Sequence, residues 1–580
     1  MMRWVAALAL TAGSVAAQNA TIAGEVSAPY PTLVNLAVEW KIAGDENLNG
    51  VVRVRYRAVG EEEWREAMPL RRVPAGEGRT TTVPFSWENK HSGSIFDLRP
   101  GTEYEIHLQL EDPDGGAEER TVRARTRPVP RAAPDSVLRR ARPGELGRAA
   151  PGEIVLLEAG EYGRFVALED GEPGRPIVYR SEDGGAVFES ISLNGRKHVY
   201  VEGVTVRTDG TGISLNDTED IVVRRCRITA TYGVRASNPP GAKNAYIADN
   251  VIEGRNAWIS QAMGADGENL GEGIQLTGPG NVIAHNRVSG FRDCISFMED
   301  RGAHEQIGID VYGNDIDKGV DDGIEADFCF NNCRIVGNRL TNCFVGLSSQ
   351  PGLGGPTYFI RNVMYNLTHV PFKLHRYSQG DVVLHNTTVK VGDGMACFSS
   401  QPFDHAYFRN NLSIGGPPGE ARYGNYSPGA GMAANMANPG PHCSFDYDAV
   451  GTYETPFRGR IGRLDFFQAE PHGVRVEMDV FEGVAFPLPA IPEREPPDLR
   501  PRAGSKVVDA GLRLPNINDG YSGEGPDIGA YEAGQTLPLY GPRPEGVDEE
   551  VEVRSAGRRR EPGGAGASRS SAYPMSPGRR

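Results

Sequence analysis

One position recurs along the middle of the chain and limits what the chain can become. Gly203, Cys226, Asn250, Asn286, Asn314, Asn338, Asn362, Asn386 and Asn411 each stand before a short apolar run, at intervals of 23, 24, 36, 28, 24, 24, 24 and 25 residues. The flanking words repeat too: Asp249-Asn250-Val251-Ile252, His285-Asn286-Arg287-Val288, Gly337-Asn338-Arg339-Leu340 and Arg361-Asn362-Val363-Met364. A unit this short cannot bury its own apolar face, so a sustained period near 24 implies coils stacked into a solenoid. The regularly spaced leucines of a leucine-rich repeat are absent. With 73 Gly, 42 Pro and only 8% aromatics, the composition favours turn-rich β structure. The expected body is a parallel β-helix. Asparagine suits the turn because it tolerates left-handed geometry and bonds to nearby backbone, and its amides, stacked at one corner, would form a hydrogen-bonded ladder.

Each coil carries a second strand: Gly212-Ile213-Ser214, Gly233-Val234-Arg235, Gly273-Ile274-Gln275, Cys294-Ile295-Ser296, Gly323-Ile324-Glu325, Gly346-Leu347-Ser348, Pro371-Phe372-Lys373 and Gly394-Met395-Ala396. The apolar residue points inward, so the next residue and the one two beyond it point outward. The outward stripe reads Gln275 and Thr277, Ser296 and Met298, Glu325 and Asp327, Ser348 and Gln350, Lys373 and His375, with Arg376 following and Asp293 and Asp322 at the preceding turn. With coils about 4.8 Å apart, Glu325 and Lys373 should lie about 10 Å apart, and Glu325 and Asp327 about 7 Å apart on one face. The surplus residues of the two long coils fall beside this column. They carry Trp258, Gln261, Asp266, Glu268 and Glu272, then Glu299, Asp300, Arg301, His304 and Glu305. Loops on a rigid scaffold are where binding groups gather.

The rest of the chain divides around this body. Arg3, the apolar run Trp4–Ala12 and Val15-Ala16-Ala17 read as a cleaved secretory signal over 1–17. Residues 20–130 alternate apolar and polar, as in Leu36–Trp40 and Val52–Arg57. There, Leu98-Arg99-Pro100-Gly101-Thr102-Glu103-Tyr104 resembles the tyrosine corner of a fibronectin type III domain, with Trp40 and Tyr56 at its aromatic core positions. The resemblance implies a β-sandwich serving as spacer or dock. Residues 135–415 are assigned to the β-helix. Asp135–Ala149 reads as a short amphipathic helix capping the first coil, with Val137, Leu138, Ala141 and Leu146 on one face. That opening resembles many parallel β-helix polysaccharidases, a likeness that implies the right hand. Residues 416–542 should pack over the last coils, and the Gly/Ser/Arg-rich 543–580 reads as a disordered tail. The seven cysteines are odd in number, which leaves at least one unpaired in a secreted chain. Cys329 and Cys333 lack a second pair at zinc spacing, and all seven read as small buried hydrophobes.

Sixty-one basic against 76 acidic residues, net -15, lack the basic footprint that nucleic acid requires. No later stretch reaches the ~20 apolar residues of a membrane span. The expected partner is an extracellular polysaccharide, and the expected state a monomer. Asp321, Asp322, Glu325 and Asp327 crowd like charges into one coil, an arrangement that a cation or a shared proton would relieve. The pair Glu325 and Asp327, with Lys373, His375 and Arg376 above it, resembles the layout of the β-helical alginate lyases and chondroitinase B. The resemblance implies Ca2+ held by Glu325, Asp327 and Asp322, proton transfer by Lys373, His375 and Arg376, and substrate contacts from Glu272, Gln275, Asp293 and Gln350. Asp327 stands where that family has a second Glu, and Lys373 lies two coils from the pair. The paired Asp321-Asp322 also resembles polygalacturonases, although their Gly-His-Gly and Arg-Ile-Lys motifs are missing. Lyase, hydrolase, C5-epimerase and non-enzymatic glycan binder all remain open on the sequence.

Overall fold

The computed structural model describes residues 19–79, 84–236, 239–297, 305–419, 423 and 426–552. The expected signal segment, Met298, and the loop residues Glu299, Asp300, Arg301 and His304 lie outside them, as do residues 553–580. Beyond a short N-terminal β domain, the chain winds into a right-handed parallel β-helix. Val/Ile-rich strands of three to five residues stack coil upon coil into a 13-stranded ladder, and strands of two to eleven residues form a second, 22-stranded sheet covering the other faces. One inward file is Ile191, Ile213, Val234, Ile274, Ile295, Ile324, Leu347 and Phe372, paired in register. The next member is Cys397, not Met395. Alternation keeps both inward, so the sequence spacing was two residues off there without changing the face.

The asparagine ladder forms. Asn250, Asn286, Asn314, Asn338, Asn362, Asn386 and Asn411 are at most 1% exposed. Each donates its amide to the next Oδ1 at 2.8–3.0 Å, and the file ends on Asp448 Oδ1. The left-handed residue is not the asparagine but the one before it: Asp249, His285, Gly313, Gly337, Arg361, His385 and Asn410 have φ of 53–63°. The asparagines instead use both ends of a buried amide, which no other side chain of that size except aspartate approaches in shape. Asn338→Ala should therefore cost about 1–3 kcal/mol, because it removes the acceptor of the buried Asn314 backbone N–H and one of the acceptors of the Asn314 amide. Chemical denaturation of wild type and variant measures the difference.

The ladders run past residue 415, through Ala434–Met436, Ala449–Thr452, Gly459–Ile461 and Val474–Val476. Residues beyond these pack across a side of the coils in a second core with Val389, Leu412, Val507, Ile528 and Tyr531. Residues 543–552, expected within a disordered tail, are instead packed on the coils. Arg543 is fully buried, pairs with Asp249 at 2.9 Å and Glu549 at 3.0 Å, and Tyr246 and Tyr312 both donate to Glu549. The cap at the other end also differs. Val137–Ala141 is a strand paired in parallel with Glu153–Leu157, not a helix. Pro143-Gly144 stops a helix after too few residues to be stable, whereas pairing with the first coil satisfies the backbone of both.

The N-terminal β domain has its own core of Trp40, Val54, Tyr56, Leu70, Leu98 and Ile106. The Tyr104 hydroxyl accepts the Arg99 N–H at 2.8 Å, the contact expected at the corner. The domain is seated on the coils. Arg334, fully buried, pairs with Asp310, which also accepts from Asn35, while Ser94 bonds Arg334, Asn332 and the Tyr358 hydroxyl. Cys329 and Cys333 form a disulfide, correcting their reading as free thiols. Cys226, Cys294, Cys343 and Cys397 are buried as expected, and Cys443 is half-buried. No helix among the described residues is long and apolar enough to cross a membrane.

Candidate functional site

A bend in the strand makes the site. Gly273, Cys294, Gly323 and Gly346 turn into the core: a Cβ on Gly323 would lie 2.6 Å from a Leu340 methyl and 3.1 Å from Cys343 Sγ. The neighbouring Ile or Leu also faces inward, so alternation is broken at this point and the residue before the glycine swings outward. Glu272 and Asp293 pair across coils there, and the Asp322 N–H donates to Asp293 Oδ1 at 2.8 Å. Beyond the bend, Arg235, Gln275, Ser296, Glu325, Ser348 and Lys373 form one outward file in register. Two files of polar side chains thus converge on one corner.

Asp293, Asp322 and Glu325 each bring an oxygen within 4.8 Å of the others. Lys373 reaches down across two coils to bond Asp322, its Nζ 3.9 Å from Glu325 Oε1. The backbone separation expected from coil spacing is real, but the long side chains close it. Asp327 is fully buried and accepts from Ser348, so Asp293 takes the third place in the trio where the sequence reading put Asp327. Glu272 accepts from Ser296 at 2.9 Å, and Gln275 accepts from Arg235 at 2.8 Å. His375 points away, its ring 5.0 Å from Phe398 and its Nδ1 accepting the Ser400 N–H at 3.2 Å. Arg376 is exposed on the following turn, and Gln350 is half-buried one coil below. Trp258 is buried, its indole N–H on the Ala490 carbonyl.

The electrostatics follow from burial. Desolvation, then the charges of Asp293 and Asp327, push Glu325 well above the ordinary carboxylate range despite Lys373. Desolvation and Glu272 do the same for Asp293. Burial raises Glu272 to about 7 and, aided by Asp322, Asp321 to about 6. Burial raises Asp322 as well, with Lys373 opposing. Burial disfavours the Lys373 charge, but Asp322, Asp327, Glu325 and Asp321 outweigh it and hold the ammonium well above the ordinary lysine value. Asp322 Oδ1 is buried with no hydrogen-bond partner, which is costly for a carboxylate oxygen. The donor set therefore fits a hard divalent cation, which carboxylate oxygens coordinate readily.

Arg292 belongs to the cluster and His369 stands near it; neither was among the assigned site residues. Arg292 lies 3.3 Å from Asp321 and 3.8 Å from Asp293. The signal was present, since Arg292-Asp293 and Asp321-Asp322 occupy equivalent places in successive coils, which stacks Arg292 on Asp321 as opposite charges. His369, buried against Phe344, Phe398 and Tyr426 with its pKa lowered to about 4 by desolvation, gave no such sign.

Residues 189–415 match the family described as right handed beta helix region. A comparison with curated proteins finds no match. Among solved structures, the β-helix is similar to pectate lyase Pel9A, at 16% identity over 66% of this chain and 88% of that one, TM-score 0.35. It is also similar to the family 28 exopolygalacturonase of Yersinia enterocolitica, at 11% identity over 78% and 98%, TM-score 0.27. A third similar structure is the alginate lyase of Paenibacillus sp. str. FPU-7, at 16% identity over 47% and 93%, TM-score 0.26.

Proposed function

We propose that this is a secreted polysaccharide lyase that cleaves a uronate-containing polymer by β-elimination, its N-terminal β domain being of fibronectin type III kind. The observation that carries the reading is the contact of Lys373 with a carboxylate trio, Asp293, Asp322 and Glu325, at one outward corner. β-Elimination needs a base at the proton beside the uronate carboxylate and neutralisation of that carboxylate. Lys373 is the base: its Nζ takes the C5 proton, the C4–C5 double bond forms, and the glycosidic oxygen leaves and is protonated by solvent. Asp293, Asp322 and Glu325 would hold Ca2+, which supplies the positive charge that neutralises the substrate carboxylate. That charge would also weaken the field by which the trio holds the proton on Lys373. Arg292 restrains the trio from the side through Asp293 and Asp321.

The test is purified protein on pectate, alginate and glycosaminoglycan polymers, with and without chelator, following ultraviolet absorbance of the unsaturated product alongside reducing ends. Unsaturated ends that vanish with chelator support the reading; reducing ends without them overturn it. Asp322→Asn should abolish the Ca2+-induced rise in melting temperature. At a hundredfold excess over Kd, that binding is worth about 2.7 kcal/mol, and a rise equal to that of wild type would remove Asp322 from the cation set.

A further inference from the structure

A second feature lies on the other side of the outward file. A cavity of about 550 Å3 opens where the N-terminal domain meets the coils, within the range of about 300–1,000 Å3 typical of small-molecule sites. One wall is the hairpin Gly76–Arg79 and Pro84–Trp87 of the N-terminal domain. That hairpin is anchored by Phe85 packing with Leu353 and Phe328 of the coils, and Gly354 passes close against the Trp87 indole. The opposite wall is the turn after Lys373, with Arg376, Tyr377 and Gln379, joined by Gln401 and His405 from the next coil. None of the acidic trio lines it; Arg376, which does, follows Lys373 by three residues.

Its turn is unusual. Arg376 and Tyr377 are consecutive and both left-handed, at φ 55° and 63°. That conformation costs roughly 1–2 kcal/mol for such residues, and most other left-handed side chains here are Asn, Asp or His. The cost is met only if the surroundings fix it, and such strain gathers at ligand sites. What the turn achieves is to hold a large ring, 62% exposed, over the mouth of a cavity with a guanidinium beside it. A sugar ring offers an apolar C–H face to an aromatic side chain, hydroxyls to amides and, in a uronate, a carboxylate to Arg.

We infer that this cavity is a carbohydrate subsite that takes a uronate unit flanking the one bound at Lys373, with Tyr377 stacking on its ring, Arg376 on its carboxylate, and the N-terminal hairpin as its outer wall. The inference rests on the uronate reading above. It makes the N-terminal domain part of the substrate groove.

The test uses the full-length chain and oligogalacturonates and oligoalginates of two to six units. Titration calorimetry is run on Lys373→Ala protein to prevent turnover, and KM is measured on otherwise wild-type protein. Tyr377→Asn and Arg376→Asn keep a residue that accepts left-handed backbone, so the turn is preserved. Each should weaken binding of the longer oligomers about tenfold and raise KM for them, while the dimer is affected far less. Turnover in wild type with length-independent effects, or none, in both variants overturns the subsite and leaves the lyase standing. Binding that the variants weaken, with no unsaturated product from wild type, keeps the subsite and overturns the lyase. No binding of any oligomer overturns both.

Discussion

Lys373→Ala should reduce unsaturated-product formation by about 10²–10⁴-fold, the range in which positioned general bases contribute, with the fold intact by circular dichroism. Lys373 is 9% exposed and touches two carboxylates that would otherwise repel each other, so its loss also perturbs the trio. Lys373→Arg separates the two effects. It restores the positive charge that holds the carboxylates together but, with a guanidinium that does not deprotonate in proteins, should restore the lost stability and not turnover. Retained activity in both variants would sink the role given to Lys373.

Asp310→Ala should destabilise the protein by about 3–5 kcal/mol, the cost of leaving a buried partner unpaired. Its partner Arg334 is fully buried at the seam between the N-terminal domain and the coils, and Asn35 also loses its acceptor. Because the chain has more than one core, the loss is read as an earlier calorimetric transition and faster proteolysis at the seam rather than as a single global value. An unchanged first transition would mean that the domain is held by its other contacts alone. Arg334→Met with Asp310→Leu, which removes both charges, should recover much of the loss.

Much of the fold was readable in the chain. The interval between asparagines gave the coil, the Gly-Ile-Xaa words gave the second strand, and together they put Glu325 and Lys373 in one file. What sequence periodicity cannot supply is local departure from alternation. The bends at Cys294 and Gly323 turn Asp293 and Asp322 outward, and strict period-2 counting places Asp327 there instead. The same holds at Val137–Ala141, where an apolar pattern compatible with a helix is settled by the strand that lies beside it. The resemblance to fibronectin type III domains rests on Tyr104, whose hydroxyl contact is present, but nothing in residues 20–130 announces that Ser94 would meet Asn332 and Tyr358. Contacts between segments more than 200 residues apart leave no periodic trace.

The side-chain hydrogen bond from Asn250 to Asn286 spans a 36-residue coil, yet at 2.8 Å it is no longer than those across 24-residue coils. The spine is thus blind to how much chain is looped out between its vertebrae. Segments looped out of such a coil can lengthen, shorten or be exchanged without the neighbouring turns sensing it, so the stack is built independently of the surface its loops present.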